Sequence, residues 1–226
     1  MSNVPPTLRL DDEPVSPESA KERLLSAAER LLAEEGFEAT SVRAVTQAAG
    51  MSVSAAHYHF GSKEMLVHEV FRRRLGPLNA VRLARLEALN VGAGETGEPP
   101  TVEAILEAFI RPGFEVRSSQ GPDSYRLLAA RLHLGPSATV QKIREELLEP
   151  SLSCFLEALA EALPGRSVED LALGVQFILG SVLHVIAGPA VDFADSEPID
   201  DEEIVDRLVR FGAAGIRAAS GPGGAR

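Results

Sequence analysis

The stretch Thr40-Ser41-Val42-Arg43-Ala44-Val45-Thr46-Gln47-Ala48-Ala49-Gly50-Met51-Ser52-Val53-Ser54-Ala55-Ala56-His57-Tyr58-His59-Phe60-Gly61-Ser62-Lys63-Glu64 decides the fold. Thr40 is a good N-cap for a short helix over 41–49, whose inner face is Val42, Val45 and Ala49. Gly50 ends that helix in a tight turn suited to a positive φ. A second short helix runs from Ser52 or Val53 to His59, and Gly61-Ser62 breaks the chain again. Two short helices crossing steeply need small residues at the crossing, and Ala44, Ala48, Ala49 and Ala55 or Ala56 supply them. The pattern is that of a helix-turn-helix. Its second helix is the size to enter a major groove about 12 Å wide and present its N-terminal side chains to base edges.

The flanks agree. Upstream, Ser16-Pro17-Glu18 reads as a helix start, and Leu24, Leu25, Ala28, Leu31 and Leu32 follow at helical spacing. Gly36 ends that helix, and Phe37 folds back onto the core. Downstream, Ser62 caps a long helix, 63–89, with Met65, Leu66, Val70, Phe71, Leu75 and Leu78 as its buried stripe and a kink expected at Pro77.

From Gly36-Phe37-Glu38-Ala39-Thr40 to Tyr58-His59-Phe60-Gly61-Ser62-Lys63-Glu64, the chain resembles the DNA-binding domain of the TetR/AcrR family of bacterial transcription regulators. The match runs from about Lys21 to Arg74. The resemblance implies a homodimer, with three N-terminal helices for DNA and a larger helical domain for dimerisation and ligand binding. Many members carry Tyr where this chain has His57, and another subset carries Asn. His57 donates to phosphate more strongly when protonated.

Residue chemistry assigns the contacts. Thr40 and Ser41 offer hydroxyl and amide donors to phosphate, and Arg43 faces phosphate or a guanine edge. Ser52, Val53, Ser54 and Ala55 open the recognition helix, where Val53 and Ala55 suit thymine methyls. His57, Tyr58 and His59 lie towards its end, and Lys63 adds a cation for phosphate. The recognition helix has no Arg or Lys, so readout is expected to be apolar and hydroxyl-based, with help from DNA shape.

Charge supports placing the nucleic-acid face here. The 226 residues carry net −11. Residues 1–20 hold −3, residues 76–226 hold −9, and only 21–75 is positive, at +1. Hydrophobic residues at 45% and charged residues at 24% exclude a wholly disordered chain or a collagen. The single cysteine, Cys154, excludes an intrachain disulfide and was placed near a buried face of 151–163. Met1 to Pro6 does not read as a secretory signal, so a cytoplasmic protein is expected.

The rest reads as helices over 101–117 (with a break at Pro112-Gly113), 123–134, 138–149, 151–163, 168–187 and 200–219, after a loop over 90–100. The fold class is all-α with about nine helices. The expected organisation is a disordered arm 1–15, a DNA-binding domain 16–75, an effector-binding and dimerisation domain 76–219, and a tail 220–226. The run 171–191 is apolar almost all round, but Gln176, Ser181 and His184 interrupt it and its neighbours are acidic, so no membrane span is expected. A helix apolar on all sides must be covered on all sides. Helices 168–187 and 200–217 are therefore expected to form half of a four-helix homodimer interface, with Gly174, Gly180, Gly212 and Gly215 allowing close approach.

An apolar effector pocket is expected among Phe109, Phe114, Tyr125, Leu128, Leu132, Phe155, Leu159, Phe177 and Leu183, with Arg126, Arg131, His133, Gln176 and His184 as polar candidates. Such a lining suits a small lipophilic molecule. The region from His133 to Pro189 loosely resembles regulators that answer fatty acids or acyl thioesters, while its net charge points away from an anionic ligand unless Arg126 or Arg131 faces inward. No cofactor is expected. No metal is expected either, because His57 and His59 diverge by about 200° on a helix. Nor is an enzyme expected: GxSxG, P-loop and HExxH patterns are absent. The competing reading is a helical small-molecule binding protein in which 21–75 is scaffold only.

Overall fold

The computed structural model describes residues 19–119, 122–134, 137–187 and 199–218. The expected arm 1–15, the Ser16-Pro17 helix start and the tail 220–226 lie outside the described residues. Within them the chain forms ten helices: α1 (Ala20–Ala39), α2 (Val42–Ala48), α3 (Val53–Phe60), α4 (Lys63–Thr96), α5 (Val102–Ser119), α6 (Pro122–Leu134), α7 (Ala138–Leu147), α8 (Glu149–Ala162), α9 (Val168–Ala187) and α10 (Asp201–Ala218). No strand occurs among the described residues, so the fold is all-α.

Serines start most of these helices. Ser19, Ser41, Ser52, Ser62 and Ser137 each accept from the backbone N–H three residues on, which satisfies an otherwise unpaired first-turn donor. Ser41, not Thr40, caps α2. Thr40 instead closes α1: its hydroxyl donates to the Gly36 carbonyl at 2.8 Å and its N–H to the same oxygen at 3.2 Å. The last turn of α1 is set off by Gly36, at φ 84° and ψ 176°, a region open essentially only to glycine.

Two expected interruptions, the loop beginning at residue 90 and the break at Pro112-Gly113, are absent. α4 continues through Pro77 and on to Thr96, and α5 continues through Pro112. A helical proline loses one hydrogen bond and crowds one carbonyl. Buried side chains flank each proline: Leu75 and Leu78 in α4, Phe109 and Phe114 in α5. The stop for α4 is Gly97, left-handed at φ 76°. The break at Pro150 is real; it separates α7 from α8 and leaves the proline in a first turn, where its missing N–H costs nothing.

Two apolar clusters hold the molecule together. One joins α1, α2 and α3 to the first half of α4 and continues through Leu128 and Leu132 of α6 to Val140 and Ile143 of α7. The other unites α5, α8, α9 and α10. α9 is long and apolar enough, by length and composition, to cross a membrane (Val168–Ile186). Its row Leu171, Val175, Ile178, Val182 and Ile186 is nonetheless buried in the second cluster. Gly174 and Gly212 serve this intrachain packing: a Cβ at either would lie 2.9 Å from an isoleucine, Ile216 or Ile178. Both were expected at the interface between chains; only Gly180 and Gly215 have open space in front of them. Glu103 of α5 accepts two hydrogen bonds from Arg217 of α10, which hold its carboxyl down at about 2.

Candidate nucleic-acid interface

α2 and α3 meet at a turn built on Gly50 at φ 64°. Gly50 N–H bonds the Gln47 carbonyl and Met51 N–H bonds the Thr46 carbonyl. Arg23 of α1 reaches over to the Ala49 carbonyl at 2.6 Å, tying the turn to the first helix. A Cβ at Gly50 would lie 3.2 Å from the end of that arginine, which can move, so the backbone conformation is the main obstacle. Gly50→Ala is expected to lower stability by about 1–2 kcal/mol, the cost of a left-handed non-glycine residue, read by chemical denaturation.

α3 is held from below and bare above. Ala56 and Phe60 are buried beneath it, and Lys21 lies 5.9 Å from the centre of the Phe60 ring. Ser52, Val53, Ser54, His57 and Tyr58 are exposed, and Tyr58 is 87% exposed. Ala55 and His59 are half-buried, and the His59 ring stands edge-on to Tyr58, centres 5.2 Å apart. Ser41 and Arg43 are exposed on α2. Thr40 is a correction: it is buried, and both of its donors are committed to Gly36, so neither is left for phosphate. Lys63 sits 4.3 Å over the Phe37 ring with its ammonium 3.5 Å from the Glu38 carbonyl, leaving donors for another acceptor.

His57 has a defined orientation. Its Nδ1 lies 2.9 Å from the Gly61 carbonyl, which can only accept, so Nδ1 carries the hydrogen. Nε2 can then donate to a phosphate only when the ring is protonated.

Polar contacts with α4 and α6 anchor α1, and with it α2 and α3, to the rest of the chain. Glu29 of α1 is 3% exposed and accepts from Arg73 at 2.6 Å and from Arg74 Nε at 2.8 Å. The basic run Arg72-Arg73-Arg74 divides its partners. Arg72 does pair with Glu69 on its own helix, but the other two guanidiniums grip Glu29. The second anchor is Arg131 of α6, which donates to the Glu34 carbonyl at 3.2 Å and lies against Gly36.

Between the two apolar clusters lies a largely apolar cavity. Phe109, Leu128, Leu132, His133 and Leu183 line it, as do Arg74 and Arg82, which sequence reading had not assigned. Phe155 and Leu159 line a smaller cleft beside Phe109, and Phe114 is core. Arg131 points to α1 rather than inward. Gln176, Phe177 and His184 are corrections as well: they lie on the exposed side of α9, opposite Val175, Ile178 and Val182. The side chains of Tyr125 and Arg126 lie outside the described residues. Cys154 is exposed, not buried.

Known proteins carry the same architecture. Residues 24–70 match the model of bacterial regulatory proteins of the tetR family, and residues 107–215 match a tetracyclin repressor-like C-terminal domain. The transcriptional repressor AcnR of Corynebacterium efficiens is 40% identical, the match covering 76% of this chain and 95% of that one. The chain belongs to the tetR family. The repressor KstR2 of Mycolicibacterium smegmatis is 39% identical over 61 residues, which span 27% of this chain and only 30% of that relative. The solved structure of AibR in complex with isovaleryl coenzyme A and operator DNA has a TM-score of 0.61 at 20% identity, covering 85% of this chain and 97% of that one. As a tetR-family protein this chain is a DNA-binding transcription regulator, from a family whose members bind operators as dimers.

Phe177 of α9 and Phe211 of α10 are 64% and 66% exposed, and Leu173, Gly180, Ala214 and Gly215 share their outer side. The Glu29 clamp, Arg82 and the outward turn of Arg131 gave no local signal; each depends on which element passes opposite.

Proposed function

We propose that α3 is the helix that reads the operator, that residues 16–75 form the DNA-binding unit, and that residues 76–219 hold the effector and the partner subunit. The observation that carries this is the bare outer side of α3, Ser52 to Tyr58, on a helix whose inner side is locked by Ala56 and Phe60. Val53 and Ala55 read thymine methyls; Ser52, Ser54 and Tyr58 supply hydroxyls; Ser41, Arg43, Lys63 and protonated His57 hold phosphates. His59 stiffens Tyr58 by edge contact. The test is fluorescence anisotropy with the duplex bordering the protein's own gene. Binding should saturate and weaken steeply with salt, and Val53→Ala should alter sequence preference. Equal affinity of wild type and a Ser54→Glu/Tyr58→Glu variant would sink the assignment.

The effector site in this reading is the cavity between the clusters, and a lipophilic small molecule is its occupant. Two connections lead from it to α1. Arg74 lines the cavity and grips Glu29, while α6 lines it with Leu128, Leu132 and His133 and holds the Glu34 carbonyl through Arg131. An occupant that repositions either helix changes the spacing of the two reading helices in a dimer. A preference of about 100-fold for the DNA-free arrangement, ~2.7 kcal/mol, suffices for partial release. Arg131→Ala should leave operator affinity within about threefold but blunt release by effector, measured in the same anisotropy assay with small molecules that copurify with the chain; unchanged release would exclude the α6 route.

A further inference from the structure

His133 lies in α6 on the wall of the cavity. Its Nδ1 is 3.0 Å from the Ala129 carbonyl one turn back, an acceptor only, so Nδ1 carries the hydrogen. Burial holds the ring below its ordinary pKa, and the nearby charges of Arg144 and Arg82 add to that. The ring is therefore neutral near pH 7, and Nε2 presents a lone pair. That nitrogen is buried and meets no hydrogen-bond donor among the described residues. A buried acceptor left unpaired is costly and is normally satisfied by something. The surrounding wall is Leu75, Leu128, Leu132, Val182 and Ile186, with the Arg82 guanidinium 4.1 Å over the Phe109 ring and its Nε on the Phe109 carbonyl.

We propose that the cavity selects a neutral amphiphile whose hydroxyl donates a hydrogen bond to His133 Nε2 while its hydrocarbon part fills the leucine-lined space. This rests on the reading of the cavity as the effector site and adds the chemical class of its occupant. A hydrocarbon or an ether leaves the lone pair unmatched. A carboxylate would set negative charge against it, although Arg74 and Arg82 on the same wall would draw one in. A hydroxyl matches the nitrogen and can still accept from a guanidinium.

The experiment is isothermal titration calorimetry of the full chain with 1-octanol, octyl methyl ether and octanoate. The ether keeps the acceptor oxygen and the chain but cannot donate. Octanol should bind about tenfold more tightly than the ether, equivalent to ~1.4 kcal/mol. His133→Phe should bind the two alike, and His133→Gln, whose amide oxygen accepts, should keep the preference. If His133→Phe does not fold, the octanol-to-ether ratio in wild type and in His133→Gln still decides. Equal binding of octanol and ether by wild type overturns the proposal, as does tighter binding of octanoate or a preference that survives in His133→Phe. If none of the three binds, both this proposal and the effector-site reading fall. Octanol that binds with the expected preference yet leaves DNA affinity unchanged supports the proposal and removes only the effector reading.

Discussion

Replacing Phe177 and Phe211 together by Asp is expected to leave a folded chain that sediments as a monomer and has lost at least about a hundredfold of its operator affinity. The two rings stand on adjacent helices, each about two-thirds exposed, and contribute little to the chain's own core. Covering a large apolar side chain is worth about 1.5–3 kcal/mol when burial is complete. In a two-fold dimer each ring counts twice, so roughly 4–8 kcal/mol of association energy is removed, before the added cost of placing four carboxylates in the contact. The monomer should stay stable because Leu171, Val175, Ile178 and Val182 face the other way, into the α5–α8–α10 cluster. Sedimentation velocity and a mobility-shift titration check both halves of the expectation. A dimer of undiminished affinity would put the interface elsewhere.

Glu29→Ala has the largest expected effect on stability, a loss of about 2–4 kcal/mol in chemical denaturation. Glu29 is almost fully buried, while Arg73 and Arg74 are 24% and 21% exposed at the side chain. Removing one member of a buried ion cluster leaves charge without a partner and costs about 3–5 kcal/mol; partial solvent access to the guanidiniums trims that figure. The Lys21–Glu69 pair is the internal comparison. At 3.5 Å, with its lysine 44% exposed, it should be worth less than about 1 kcal/mol, so Lys21→Ala should barely move the denaturation midpoint. Because Glu29 joins α1 to α4, its loss should also weaken coupling between cavity occupancy and DNA binding. Equal midpoints for Glu29→Ala and Lys21→Ala would mean the cluster is not a clamp.

The legible parts of the sequence were those written locally. Gly50, Ser52, Gly61 and Ser62 each act within a turn or two of themselves, so the α2–α3 turn, α3 and the start of α4 could be read from neighbours alone. The bare side of α3 followed from which of its residues are small, polar or aromatic. The illegible parts depend on partners far along the chain. Pro112 read as an interruption because a local rule cannot weigh the buried phenylalanines, Phe109 and Phe114, that flank it in a continuous helix. α9 is apolar on every side, so its sequence could not say whether Phe177 and His184 or Ile178 and Val182 faced inward. Arg131 and Glu29 were invisible for the same reason: their partners, Glu34 and Arg74, lie 97 and 45 residues away. Thr40 was misread because two adjacent residues, Thr40 and Ser41, both satisfy the N-cap rule, and only the chain's bend at Gly36 separates them.

The central claim is that two copies of α3, held by the α9–α10 side of a dimer, read one operator. Hydroxyl-radical footprinting of the duplex bordering the protein's own gene tests it most directly. The account predicts two protected patches on the same side of the DNA, centred about 34–36 Å apart, both lost in the Ser54→Glu/Tyr58→Glu variant. A single patch, or two patches that persist in that variant, would contradict it.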